Sequence, residues 1–208
     1  MQEHGLSPNR LEAFTDGVIA IIITIMVLEL KVPAHEVTNV DALRHVLPML
    51  FVYLLSFVQT GIYWVNHHYM IDDVKHVSHE LLWSNLAFLF MLSLIPFATA
   101  WVGERGLTPF SVGLYSVCCA LPAVTWLLLS SAICHVTGKR VAGGGTLAKQ
   151  IASAILYLGA LPVAYRSELA AIGMIAAVAV LWLIPPREIR ERTRRLRVQP
   201  DSTEPHSR

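Results

Sequence analysis

The chain has 208 residues, of which 54% are hydrophobic and 15% charged, with a formal net charge of +1. The charged share is well below the ~25% of soluble domains. Composition therefore excludes an ordinary soluble domain and points to one integral membrane unit, residues 1–186, followed by a short basic tail, 187–208.

A hydrocarbon core ~30 Å thick needs ~20 apolar residues of helix. Six windows approach that length: residues 10–31, 46–66, 81–102, 110–136, 147–165 and 169–185. The expected architecture is an all-α membrane protein with six transmembrane helices.

The first window opens on Arg10, Glu12 and Asp16, then runs from Gly17 to Leu28 with Thr24 as its one polar side chain. Ionisable groups this close to hydrocarbon face protein or water and have partners. Asp16 interrupts what would be the apolar core of a signal peptide, so this helix is expected to stay in the mature protein. Gly17, Ile21, Thr24, Ile25 and Leu28 recur at i, i+4, i+7, i+8 and i+11, which makes one narrow stripe. Two readings fit it: a packing seam inside a bundle, or an apolar pore wall that filters by dewetting. The second needs the same helix from symmetry mates. Glu29, near the other end, reads as an outer carboxylate.

The segment Pro33–His45 carries a helix start at Asn39 or Asp41. The second window ends in WVNHHYMIDDVKHVSHE, Trp64–Glu80. His67, His68, His76 and His79 have the chemistry of metal ligands, but their spacing matches no closed site. His76, His79, Asp72 and Asp73 read as a hydrated loop, whereas His67 and His68 follow directly on an apolar span. Arg10 and Asp16, about 9 Å of helical rise apart, lie at the same cytoplasmic level as His67 and His68. A network of Arg10, Asp16 and His67 or His68 follows as the expectation.

The third window places Ser84 and Asn85 near its inner end and Pro96 deeper, where proline frees a carbonyl and can kink the helix. Cys118, Cys119 and Cys134 fall in the fourth window without disulfide or zinc spacing. Gly143, Gly144 and Gly145 mark a linker, His135–Gln150, between the halves, and the back half reads as scaffold. Lys and Arg set orientation. Arg10, Lys75, Lys139, Arg140, Lys149 and the seven tail arginines share one side, with Lys31, Arg44, Arg105 and Arg166 on the other. The positive-inside rule puts both termini in the cytoplasm of a multi-pass cell-membrane protein.

Arg10-x-x-x-Phe14-Thr15-Asp16-Gly17 running into an Ile-rich helix resembles the RxxxFSD signature of the transmembrane-protein-175 family, the lysosomal-type potassium channels and their bacterial relatives. Trp64-x-Asn66-His67-His68 and SNLAFLFMLSLIPFATA are similar to that family too, while the chain beyond about Glu104 is similar only in hydropathy. Thr15 stands where the family has Ser. The resemblance implies a homotetramer of six-helix subunits with the first helix lining a central pore and no TVGYG filter. It puts the apolar constriction on Ile21, Ile25 and Leu28, with the adjacent hydroxyl on Thr24. It puts a structural network behind the pore helix on Arg10, Phe14, Thr15, Asp16 and His67 or His68. The function implied is passive conduction of K⁺ and related monovalent cations, with K⁺ favoured over Na⁺. No enzymatic activity, metal site, nucleic-acid partner or cofactor beyond the permeant ion is expected. The alternative is a proton-coupled or metal-ion transporter using the Asp and His cluster.

Overall fold

A computed structural model describes residues 7–30, 38–138 and 144–183. The tail at 187–208, Lys139 and Arg140 of the linker, and the first part of the Pro33–His45 segment lie outside the described residues.

Among the described residues seven α-helices follow in order: α1 Pro8–Leu28, α2 Asn39–Ile71, α3 His79–Leu92, α4 Leu94–Arg105, α5 Pro109–Thr137, α6 Gly144–Ala164 and α7 Glu168–Leu183. Their starts follow local chemistry. Pro8 and Pro109 occupy first-turn positions, where a missing N–H costs nothing. Thr38, Ser78 and Thr108 cap α2, α3 and α5 by accepting from the backbone N–H groups of Asp41, Leu81 and Ser111. The end of α5 is closed by Gly138 at φ 64°, a left-handed position that favours glycine.

Among the described residues, five segments have the length and apolar composition to cross a membrane, with α3 and α4 together forming one of them, His79–Arg105. The expected single helix over 81–102 is therefore broken. Pro96 lacks the N–H that would bond to Leu92, and its ring crowds that carbonyl, so regular α-geometry stops at Leu92 and resumes at Leu94. Ser93 relieves the break by donating its hydroxyl to Phe90 O at 2.7 Å. The second helix is longer than 46–66, because the Thr38 cap starts it at Asn39. The expected sixth span, 169–185, is described as α7 with 16 residues. Residues 184 and 185 of that window lie outside the described residues.

Two apolar cores hold the helices together, and α5 serves both. One joins Leu11, Ile19, Ile22 and Met26 of α1 to Phe88 and Leu92 of α3 and to Trp126 and Leu129 of α5. The other packs Val52 and Leu55 of α2 and Ala98 of α4 against Tyr115 and Cys119 of α5, Tyr157 of α6 and Ile175 of α7. A buried hydroxyl cluster pins α2 to α4 and α5: Ser56 Oγ lies 2.8 Å from both Thr99 Oγ1 and the Tyr115 hydroxyl. Ser116 donates to the Tyr157 carbonyl and so ties α5 to α6. In a bilayer no water competes for these bonds, which makes them effective cross-links between helices. Cys118 and Cys119 are buried free thiols in this packing.

Candidate functional site

The first helix has two unlike faces. Leu11, Thr15, Ile19, Ile22 and Met26 are buried against the rest of the chain. Gly17, Ile21, Thr24, Ile25 and Leu28 all lie on the opposite, exposed side. Ile21 is 57% exposed and Leu28 77%. The stripe is therefore not a packing seam within one chain; it is turned away from the chain's own core. Nothing lies within 4 Å of where a Cβ on Gly17 would sit, so the face is open there as well. Thr24 is the one hydroxyl on this face. Its Oγ1 lies 3.0 Å from both the Ala20 and Ile21 carbonyls. Donating its proton to the helix leaves its lone pairs free to accept or to coordinate.

The inner end of α1 meets the end of α2 and the start of α3, and the polar residues there divide into two sets. One is buried. His67 Nε2 lies 2.9 Å from Asn85 Oδ1, Asn85 Nδ2 donates to Thr15 Oγ1 at 2.9 Å, and Thr15 donates to the Leu11 carbonyl at 2.9 Å. Because the Asn85 amide N–H points at Thr15, its oxygen faces His67, and His67 carries its proton on Nε2. One polar thread thus joins α2, α3 and α1. Phe88 stacks on the His67 ring at 6.4 Å, with Trp126 at 6.5 Å.

The other set is exposed. His68 Nδ1 lies 2.6 Å from Glu12 Oε1, and Trp64 Nε1 donates to Asp16 Oδ1 at 2.9 Å. Glu12 and Asp16 are i, i+4 on α1, and Trp64 and His68 are i, i+4 on α2. On antiparallel helices they make two matched rungs.

These pairings differ from the Arg10–Asp16–histidine grouping expected from helical rise. Within the chain Asp16 takes Trp64, His68 takes Glu12, and His67 takes Asn85. Arg10 is exposed and has no ion-pair partner among the described residues; Phe14 is exposed beside it. Rise sets the level of a side chain but not its azimuth. Neighbouring residues on a helix point about 100° apart, so His67 faces inward and His68 outward. Glu12 and Trp64 were therefore missed as partners, although the matched i, i+4 spacing on two antiparallel helices was a usable signal. Among the described residues, no three His, Cys, Asp or Glu side chains come together as a metal ion requires.

Comparison with known proteins gives the same direction over most of the chain. Residues 10–96 match the family model of the endosomal/lysosomal potassium channel TMEM175. A potassium channel of Chryseobacterium sp. (strain P1-3) is 40% identical over 187 residues, 88% of this chain and 96% of that protein. A potassium channel of Chamaesiphon minutus is 38% identical over 105 residues, 49% of this chain and 52% of that protein. The fold is similar to the crystal structure of a lysosomal potassium-selective channel TMEM175 homolog from Chamaesiphon minutus. The TM-score is 0.69 at 26% identity, over 85% of this chain and 96% of that one. With apolar helices of membrane-crossing length and a near full-length relative at this identity, the chain is a multi-pass membrane protein of the TMEM175 potassium-channel family.

Proposed function

We propose that this protein is a potassium-permeable cation channel, a homotetramer in which four copies of α1 line a central pore and both termini lie in the cytoplasm. The observation that carries the reading is the outward stripe of α1. It is apolar, narrow and free of the chain's own packing, with a single exposed hydroxyl residue, Thr24, whose proton is spent on the helix. One helix cannot enclose a pore; four related by rotation can.

In that arrangement Ile21, Ile25 and Leu28 form successive apolar layers and Thr24 supplies partial coordination between them. An apolar neck offers little to replace lost hydration, so weakly hydrated cations pass best. K⁺ and Rb⁺ then exceed Na⁺. Conduction is passive and needs no cofactor; the cation is the cargo. The Thr15–Asn85–His67 thread and the Glu12–His68 and Asp16–Trp64 rungs brace α1 at its inner end. This favours a channel over a proton-coupled or metal transporter, whose Asp16, His67 and His68 would have to converge on one cargo, whereas here each has a separate partner.

The test is cation flux in liposomes. Wild type should pass K⁺ and Rb⁺ ahead of Na⁺, and Ile21→Asn should lower the K⁺/Na⁺ ratio by wetting the neck. An unchanged ratio in that variant removes Ile21 from the selectivity-determining layer.

A further inference from the structure

We infer that a cavity between α2, α5, α6 and α7 is an internal water site, holding about two water molecules on the amides of Gln59 and Gln150. It is separate from the proposed ion path and does not depend on that reading.

The cavity has a volume of about 30 Å³ and is lined by Gln59, Tyr63, Trp126, Gln150, Ser153 and Tyr157 among others. Gln59 is 3% exposed and Gln150 5%. Gln59 Nε2, Gln59 Oε1 and Gln150 Oε1 are buried without a hydrogen-bond partner. The Cys119 thiol is a neighbour of Gln59, but thiols are weak partners and this one does not meet hydrogen-bond geometry. Ser153 is already engaged: it donates to the Lys149 carbonyl and accepts from Trp182 Nε1. The two amides thus present two donors and more than one acceptor to a shared space, with no protein group in hydrogen-bond contact with those atoms.

Size and chemistry select the occupant. A water needs about 10–15 Å³ by this measure, whereas a dry cavity that takes benzene is about 150 Å³. A lipid methyl would leave the amides unpaired, which is costly at membrane depth. An ion would meet no charged side chain on the lining. Water both donates and accepts, and two molecules fit. They would bridge α2 to α6, where the hydroxyl contacts that join α2, α4 and α5 do not reach.

Millisecond radiolytic hydroxyl-radical footprinting of the full chain in lipid nanodiscs tests this, because bound water is activated where it sits. Trp126 and Tyr157, only 4% and 2% exposed, should be modified several-fold faster than the fully buried Met26 and Tyr115, after correction for intrinsic reactivity. The Gln59→Leu/Gln150→Leu variant should bring Trp126 and Tyr157 down to that dry-core rate. Wild-type labelling no faster than Met26 and Tyr115 overturns the proposal, and that comparison decides even if the variant fails to fold. Undiminished labelling in a folded variant overturns it too, because the amides would then not be what holds the water.

Discussion

Thr24 is the residue at which the proposed pore is most sensitive to a single atom. Its hydroxyl proton is spent on the Ala20 or Ile21 carbonyl at 3.0 Å, so what it offers outward is an acceptor. Thr24→Val keeps the shape and removes that oxygen. K⁺ flux should fall several-fold with helix content and thermal stability unchanged, because the side chain is exposed and braces nothing; Thr24→Ser should keep the flux. Asn85 is the opposite case. It is buried and serves two neighbours, accepting from His67 and donating to Thr15. Asn85→Leu leaves His67 Nε2 without its acceptor in an apolar, aromatic surround. Thermal unfolding in detergent should show a loss of about 1–3 kcal/mol, and Glu12→Gln, on the exposed rung, a loss within about 1 kcal/mol. The residue types at this site were legible in the sequence: a hydroxyl and an acid in the motif, paired histidines, an isolated Asn. Who pairs with whom was not, because it depends on how each helix is rotated about its own axis, and hydropathy is blind to that.

Helices were legible wherever hydropathy and capping agree, and least legible where proline acts at a distance. The Thr38-x-x-Asp41 cap marks the true start of α2 within the segment Pro33–His45. Pro96 was visible as a possible kink. The break itself falls at Ser93, three residues upstream, because the clash is with the carbonyl one turn back. Packing between helices depends on small residues that composition flags but cannot rank. A Cβ on Gly113 of α5 would sit 3.0 Å from Leu161 Cδ1 of α6, whereas one on Gly173 of α7 meets nothing within 4 Å. Gly113→Leu should therefore force α5 and α6 apart and cost about 1–3 kcal/mol. Gly173→Ala should be neutral or stabilising by up to about 1 kcal/mol, since Ala restricts the unfolded chain and favours the helix. Paired thermal melts of the two variants read the difference directly, and equal effects would mean that α5 and α6 do not approach as closely as described.

At the scale of the whole molecule, the exposed face of α1 and the lipid-facing sides of the outer helices are alike in one subunit. Ile21 is 57% exposed and Leu158 of α6 is 55%; both are aliphatic, and burial alone does not tell water from hydrocarbon. Chemistry does. A thiol reacts with a charged methanethiosulfonate as the thiolate, which forms in water and not among acyl chains. Of the native thiols, Cys118 and Cys119 are buried and Cys134 is half-buried, so both variants are built on Cys134→Ser. Leu28→Cys lies on the proposed pore face near the end of α1, where the reagent has the shortest path. It should be modified within seconds to minutes, and the added cation should cut K⁺ flux. Leu158→Cys should be untouched under the same conditions, with flux unaltered. The contrast separates three arrangements of four subunits. If both cysteines are inert, α1 faces lipid or a dry subunit seam, and the ion path lies elsewhere. If both react, the outer helices border water and the bundle is not seated as the apolar spans require. Only reaction at Leu28→Cys with block, and none at Leu158→Cys, places water, and with it the ion, along the stripe that begins beside Asp16.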